Sequence, residues 1–191
     1  MYSQARTINP LAIFSDENGE MIYNPGNDPF SINPLLDIEG VKNDNRGHRI
    51  LTNLNLEAKI IEGLRYRVNV GYDYKTQRDG VFQASRSTAR NLGTPYASYG
   101  GSSARNILLE NLLFYDKSFG ADHKLGLTLL QSIQTDRMET HTSAVQGLPY
   151  ESQEFYNMGS ASEILNVGTR LIEWKMQSLM ARINYSYRGK Y

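Results

Sequence analysis

Hydrophobic and polar residues alternate along the segment LRYRVNVGYDYKTQ, which runs from Leu64 to Gln77. A period of two places successive side chains on opposite faces of a β-strand. One face of this strand is aliphatic and aromatic, and the other is polar and charged. The pattern fits two environments. The apolar face either packs on a soluble core, or it faces lipid while the polar face lines a wet interior.

Four further segments are also predicted to be strands, with a weaker alternation in Asn106–Phe119 and a clean one from Leu179 onward in the last segment. The Glu62-Gly63 pair is typical of a tight turn and predicts a hairpin between the first two strands. Short turns are also predicted at Gly120–His123 and at Gly189-Lys190. The additional strands are predicted within Arg46–Gly63, Asn106–Phe119, Lys124–Thr140 and Arg170–Tyr191.

Long connections alternate with these short turns. The first 45 residues are rich in Asn, Pro, Gly and Asp, which predicts a loop with short strand pieces. Long connections are also predicted at Arg78–Arg105 and at His141–Thr169, the latter with a short helical turn near Glu151–Tyr156. Because alternate connections of an up-and-down meander lie at the same end of the sheet, all the long connections should share one end.

This sorting of connections is typical of outer-membrane barrels, which have short periplasmic turns and long extracellular loops. A soluble sandwich has no comparable reason to sort its connections by length. The predicted fold class is therefore all-β. We expect an antiparallel up-and-down meander that forms part of a large transmembrane β-barrel, with long extracellular loops and short periplasmic turns.

The barrel interpretation assigns an environment to each face of the strands. Val68, Val70 and Tyr72 are predicted to face lipid, as is the apolar face of the last strand from Leu179 to Tyr187. Tyrosines near the strand ends suit the two interfacial girdles, where a ring lies in lipid and its hydroxyl in water. The residues predicted to face the wet interior of the barrel are Arg65, Arg67, Asp73, Arg182 and Asn184.

Composition narrows the range of functions. The 20 Lys and Arg residues balance the 20 Asp and Glu residues, so the basic excess typical of nucleic-acid-binding proteins is absent. The lack of cysteine excludes disulfides, thiolate metal sites and cysteine nucleophiles. Mean hydropathy is −0.50, and no apolar stretch approaches the roughly 18 residues of a membrane helix. Barrel strands escape this hydropathy test because only one of their faces is apolar.

Residues that could carry catalysis or bind a metal are scattered. His48, His123 and His141 lie on separate elements, and no metalloprotease, nucleophile-elbow or P-loop motif occurs. The acidic stretch Ser15–Glu20 lacks the spacing of an EF-hand loop. The glycine-rich stretch Ser98–Ser103 is followed by neither a helix nor a lysine. We therefore expect no catalytic residue, no metal site and no cofactor.

Aromatic residues in the long connections are the better candidates for ligand contact, because sugars stack on aromatic faces. Packing within the loops or against a lid is the competing interpretation for these residues. For the charged residues of the interior face, a structural network competes with direct contact to a substrate. The aromatic candidates for substrate contact are Tyr96, Tyr99, Tyr150, Phe155 and Tyr156.

Five sequence segments, in a consistent order along the chain, are similar to segments of one protein family. They are NPLAIFSDENG at Asn9–Gly19, LEAKIIEGLRYRVNVGYDY at Leu56–Tyr74, ENLLFYDKSFGADHKLGLTLLQS at Glu110–Ser132, LPYESQEFYNMG at Leu148–Gly159 and LMARINYSYRGKY at Leu179–Tyr191. Together they resemble the SusC/RagA family of TonB-dependent outer-membrane transporters. The resemblance implies a barrel of about 22 strands that is filled by an N-terminal plug.

The resemblance also implies a transport function and a set of partners. Members of this family import oligosaccharides, or sometimes peptides, across the outer membrane of Bacteroidetes-type bacteria. A SusD-like surface lipoprotein caps the barrel outside, outer-membrane lipid surrounds it, and TonB acts on the plug from inside. No nucleic acid is implied as a partner.

The sequence departs from the family pattern in what it lacks. No plug domain or TonB-contacting segment is recognisable, and the start MYSQARTINP has no signal-peptide pattern. We therefore interpret residues 1–191 as a partial TonB-dependent receptor β-barrel, an internal part of a longer wall. Two alternatives compete with this hypothesis: a soluble β-sandwich that binds carbohydrate and, more remotely, an enzyme built on such a sandwich. A chain that is folded and monomeric without detergent would favour either alternative.

Overall fold

Five long β-strands dominate the computed structural model, which describes residues 8–189. The strands form one sheet in the order β1-β2-β3-β4-β5, with sequence neighbours paired throughout. This order confirms the predicted all-β antiparallel meander. The strands are β1 (Val41–Ile61), β2 (Leu64–Gln83), β3 (Tyr96–Phe119), β4 (His123–Gln146) and β5 (Glu163–Tyr187).

Helical structure among the described residues is short. The helix α1 (Leu36–Gly40) leads directly into β1, and a 3₁₀ turn occupies Pro25–Asn27. The 3₁₀ helix Glu151–Ser160 lies where the sequence predicts a short helical turn. Before β1, Ser15 and Met21 form an isolated antiparallel bridge, as expected for a loop with short strand pieces. None of the helices in residues 8–189 is long or apolar enough to cross a membrane.

All five strands are longer at their loop ends than the sequence predicts. The predicted connection Arg78–Arg105 shrinks to residues 84–95, and His141–Thr169 shrinks to residues 147–162. Strand β3 continues through Gly100 and Gly101, where a Cβ at Gly101 would lie 2.9 Å from Cε1 of His141. Because these glycines have no side chains, they add neither an apolar nor a polar position to the alternating pattern. The alternation is therefore lost while backbone pairing continues.

The short turns lie where they are predicted. Residues 62–63 connect β1 to β2, and residues 120–122 connect β3 to β4. Gly63 and Gly120 adopt φ values of +81° and +66°, which glycine tolerates without the steric cost of a Cβ. The predicted turn at Gly189-Lys190 lies partly outside the described residues, and Gly189 within it has φ +70°.

The chain divides into two units, and each strand passes from one into the other. The loop unit consists of Met1–Gly47, Gln77–Gly101 and Thr140–Thr169. The turn unit consists of His48–Thr76, Ser102–Glu139 and Arg170–Tyr191. The long connections all belong to the loop unit and the tight turns all belong to the turn unit. This separation confirms the predicted sorting of connections by length.

Burial differs sharply between the two units. The loop unit has a small apolar core, formed by Phe82, Ala84, Ala97, Val145, Leu148 and Phe155. Among the described residues of the turn unit, no residue is buried. The turn unit is therefore a single sheet layer, and neither of its faces is covered by another part of the described chain. A β-sandwich requires a second sheet against one face, so this fold does not support the sandwich alternative.

Candidate functional site

Charged residues near the β1–β2 turn form a connected cluster on one face of the turn unit. Arg67 donates to Glu57 Oε2 from Nε at 2.9 Å and from Nη2 at 2.6 Å. Arg65 bridges Glu57 Oε1 at 3.4 Å and Asp116 Oδ2 at 3.2 Å. Both guanidinium groups lie over the Phe114 ring, 5.1 and 5.3 Å from its centroid. The structure thus brings together two of the predicted interior residues, Arg65 and Arg67.

The same polar face continues along β2. Arg49 holds Asp73 in a two-pronged ion pair, with Nε 2.8 Å from Oδ1 and Nη2 2.9 Å from Oδ2. Asn69 donates to Glu110 Oε2 at 2.9 Å. Arg49, Glu57, Glu110 and Asp116 are members of this network that the sequence reasoning did not single out. Glu57 lies at the same alternate positions as the other polar residues of β1. That alternation was the sequence signal that could have assigned Glu57 to the polar face.

Arg182 and Asn184 form a separate pair on β5. The Nε atom of Arg182 donates to Oδ1 of Asn184 at 3.2 Å. The side chain of Asn184 also lies close to Gly126 of β4, where a Cβ would come within 3.8 Å of its Cβ. The five predicted interior residues therefore fall into two groups, one centred on β2 and the other on β5.

The opposite face of the turn unit is apolar and open. On β5, Leu179 and Ile183 are 76% and 70% exposed. The Tyr72 and Tyr74 rings stack with their centroids 6.4 Å apart. An apolar surface of this extent is unusual on a soluble monomer and is typical of a surface that meets lipid or a partner.

One polar cluster interrupts this apolar face. The hydroxyl of Tyr66 donates to Oδ1 of Asn111 at 2.6 Å, and Asn111 Nδ2 lies 3.5 Å from Gln131 Oε1. These residues line an open groove of about 500 Å³ whose other walls include Leu113 and Leu179. The three side chains satisfy part of one another's hydrogen-bonding capacity, which lowers the cost of polar groups on an apolar surface.

The predicted aromatic contacts of the loop unit separate into buried and exposed residues. Phe155 is 3% exposed and packs so closely on Gly80 that a Cβ there would lie 2.7 Å from its ring. Tyr99 stacks against Phe155 at 6.1 Å between centroids. Tyr156 and Tyr150 are 62% and 65% exposed. Phe155 therefore anchors the loop instead of presenting its ring to a ligand, and the competing packing interpretation applies to it.

Tyr96 is also engaged within the protein. The Arg90 guanidinium lies 5.7 Å from the centroid of its ring. Arg90 donates from Nε to the Thr94 carbonyl oxygen at 2.8 Å and lies 3.3 Å from Gln146 Oε1. Of the five predicted contact residues, Tyr150 and Tyr156 thus present the most surface to solvent.

Polar contacts hold the 3₁₀ helix Glu151–Ser160 in place. Glu151 Oε1 accepts a hydrogen bond from the Ser85 backbone N–H at 2.8 Å. Lys42 Nζ lies 2.6 Å from Glu154 Oε2 and donates to Oε1 at 2.9 Å. Glu154 has φ +49°, a backbone conformation that costs free energy for a residue with a side chain. The contacts of Glu151 and Glu154 therefore maintain a strained loop conformation.

The segment before β1 is tied to the connection at residues 84–95. Asp37 accepts hydrogen bonds from the Thr88 N–H at 2.8 Å and from its hydroxyl at 2.6 Å. The Tyr23 hydroxyl donates to Asn91 Oδ1 at 2.8 Å. Burial raises the pKa of Tyr23 above its usual value. The connections of the loop unit thus form an ordered, mutually bonded layer.

His123 and His141 each contact aromatic side chains of their own unit. His123 Nδ1 lies 2.7 Å from the Tyr185 hydroxyl, and its ring is 4.9 Å from that of Tyr187. His141 lies beside Tyr99, with 6.3 Å between ring centroids. Within residues 8–189, no group of three or more His, Cys, Asp or Glu side chains is arranged to hold a metal ion.

Comparison with known proteins points to one kind of transporter. No family model matches the sequence. The TonB-dependent receptor P3 of Formosa agariphila is 26% identical over 133 residues, which cover 70% of this chain and 13% of that protein. The TonB-dependent receptor P39 of the same organism is 24% identical over 161 residues, 83% of this chain and 15% of that protein. The chain therefore spans a small part of the length of these relatives.

Solved structures show the same fold. The RagAB peptide transporter matches with a TM-score of 0.74 and 13% identity, over 90% of this chain and 20% of that chain. The RagAB peptide importer in its closed-closed state matches with a TM-score of 0.73 and 14% identity, over the same shares. The names of the relatives and the shared fold together confirm the resemblance predicted from the five sequence segments.

Proposed function

We propose that this chain, whose sequence and fold are of the SusC/RagA type of TonB-dependent transporter, forms part of the barrel wall and outer loops of an outer-membrane importer. The observation that carries the proposal is the turn unit. It is a single sheet layer with a charged network on one face and an uncovered apolar face on the other. Such a layer is suited to separate hydrocarbon from a water-filled interior.

In this proposal the function is conformational and involves no bond breaking. Arg65, Arg67, Asp73, Arg182 and the neutral Asn184 line the wet interior, where water and hydrogen-bond partners stabilise the four charged side chains. Val68, Val70 and Tyr72 face the hydrocarbon. The ordered layer of the loop unit then lies outside the cell and forms part of the surface that a nutrient meets first.

The nutrient is a bulky polar molecule, an oligosaccharide or a peptide. Similarity to a protein called a peptide importer supports the peptide, and the exposed rings of Tyr150 and Tyr156 suit stacking on a sugar. Similarity to receptors called TonB-dependent supports energy coupling through TonB and a plug elsewhere in the whole protein. A SusD-like surface lipoprotein is the proposed outer partner, and the proposed location is the outer membrane of a Bacteroidetes-type bacterium.

A pair of lysine substitutions on adjacent residues of β2 tests the membrane orientation. Val70→Lys places a charge on the proposed lipid face, where it should cost about 2–4 kcal/mol near the bilayer midplane. Asn69→Lys places the same charge on the wet face and should be mild. The folded fraction recovered from outer membranes and its urea midpoint give the measurement. Equal tolerance at both positions would contradict the proposal.

A further inference from the structure

An open pocket of about 320 Å³ lies in the turn unit, between β2, β3 and β4. It is lined by Tyr74, Ser103, Arg105, Arg137 and Glu139. Four of these residues carry hydroxyl or guanidinium donors, and Glu139 is a carboxylate. The position and the charge of this pocket identify what it can bind.

The pocket lies at the level where the apolar face ends. On β3, Arg105 precedes Ile107 and Leu109 at alternate positions, and on β4 Arg137 comes after Leu129 and Ile133. On β2, Tyr74 follows Val70 and Tyr72 in the same way, and the two tyrosine rings stack. Tyrosine at the end of an apolar run is typical of a membrane–water interface. If the apolar face meets hydrocarbon, the pocket is therefore at the level of lipid headgroups.

One of the two guanidinium groups that line the pocket has no carboxylate partner among the described residues. Arg137 is engaged by Glu139 at 2.8 Å and approaches Glu173 at 3.7 Å. Among the described residues, Arg105 has no carboxylate within ion-pair distance, and its side chain is exposed. The hydroxyls of Ser103 and Tyr74 likewise have no hydrogen-bond partner among residues 8–189. The pocket thus combines an uncompensated guanidinium with two hydroxyl donors.

This combination suits a phosphate group. A guanidinium binds two phosphate oxygens in parallel, and hydroxyls can donate to the remaining oxygen. At the surface of a bilayer the abundant phosphates are those of lipid headgroups, and basic side chains at this level attract anionic lipids. Acyl chains attached to the same phosphate would lie along the apolar face next to the pocket.

We propose that this pocket binds the phosphate of a membrane lipid headgroup, with Arg105 as the principal contact and Ser103 and Tyr74 as secondary donors. The proposal rests on the membrane orientation described above. It adds a lipid-binding site to the apolar face, apart from the polar cluster of Tyr66, Asn111 and Gln131. Binding here would fix one lipid against β3 and β4 at the loop-side end of the apolar face.

Lipid retention tests the proposal in the whole membrane protein that carries this segment. The protein is purified in detergent, stripped of lipid and offered phosphatidic acid or diacylglycerol with identical acyl chains. Native mass spectrometry then counts bound lipids. We expect wild type to retain phosphatidic acid in preference to diacylglycerol, and Arg105→Gln to reduce that retention by about tenfold, since a charged hydrogen bond is lost.

Two further variants keep the result interpretable. Arg105→Lys preserves the charge and should keep most of the retention, while Arg182→Gln removes the same charge from the opposite face and should behave as wild type. Equal retention by wild type and Arg105→Gln would overturn the proposal, as would equal retention of diacylglycerol and phosphatidic acid. Complete displacement of phosphatidic acid by millimolar inorganic phosphate would contradict lipid binding and would indicate that the pocket binds a soluble anion.

Failure of this site is distinguishable from failure of the proposed function. Arg105→Gln should reach the outer membrane and fold as wild type does, because Arg105 is exposed and makes no ion pair with the described residues. Loss of lipid retention with normal membrane insertion therefore reports on the pocket alone. The Val70→Lys and Asn69→Lys pair reports separately on the orientation of the wall.

Discussion

Gly63 and Asp116 are joined backbone to backbone. The Gly63 carbonyl oxygen accepts a hydrogen bond from the Asp116 N–H at 2.8 Å, and a Cβ at Gly63 would lie 2.3 Å from the Asp116 carbonyl oxygen. The β1–β2 turn is therefore docked on β3. This contact also places the Asp116 carboxylate within 3.2 Å of Arg65, so a turn glycine helps to position the charged cluster.

Substituting Gly63 should destabilise the protein more than substituting another turn glycine. Gly63→Ala imposes the cost of a positive φ, about 1–2 kcal/mol, and adds a clash with the Asp116 backbone. Gly120→Ala has φ +66° but nothing within 4 Å of its Cβ, so it should show the φ cost alone. Urea unfolding midpoints of the two variants give the comparison. Equal losses would indicate that the close approach of Asp116 has no energetic consequence.

Phe155 should hold the loop between β4 and β5 in place. Phe155→Ala removes a buried ring from the core of the loop unit and should cost about 3–5 kcal/mol of local stability. Tyr150→Ala, in the same connection, changes a ring that is 65% exposed and should stay within about 0.5 kcal/mol. Hydrogen exchange at Ser85, whose N–H is held by Glu151, reports the opening of the loop. Similar exchange in both variants would contradict the anchoring role.

The ion pair of Arg49 and Asp73 tests whether the polar face is wet. Both side chains remain partly exposed, 54% and 23%, so Asp73→Asn should cost about 0.2–1 kcal/mol if water screens the pair. Raising the salt concentration should shrink that loss. A double-mutant cycle with Arg49→Gln isolates the pair. A coupling energy of several kcal/mol that is insensitive to salt would instead indicate a dry environment.

The turn at Asp28 should loosen in acid. The Ser31 hydroxyl at 2.5 Å, and then the Phe30 N–H at 3.0 Å, hold the pKa of Asp28 below its usual value. Because the folded pKa is lowered, the stabilisation is present above the unfolded value, near 3.9, and is lost as pH falls through the folded value. Amide exchange at Phe30, corrected for intrinsic rates, should lose protection over that range. Asp28→Asn should remove this pH dependence of amide exchange. The same pH dependence in wild type and Asp28→Asn would contradict the role of Asp28.

Much of the sheet could be predicted from the local sequence pattern. The alternation from Leu64 to Gln77 predicts β2. Glu62-Gly63 predicts the turn between β1 and β2, and Gly120 predicts the turn between β3 and β4. The loop-end extensions were not predictable in the same way. At Gly100 and Gly101 the residues that allow His141 to approach have no side chains, so no alternation indicates that pairing continues.

The sequence by itself determined the elements, their order and the sorting of their connections, because a period of two and turn-forming glycines are local properties. Only the tertiary structure decided which polar residues meet, such as Arg49 with Asp73 and Arg65 with Asp116, since those partners lie on different strands. It also decided that Phe155 is buried on Gly80 while Tyr150 and Tyr156 stay exposed. Burial depends on what approaches from elsewhere in the chain, and aromatic composition alone does not encode it.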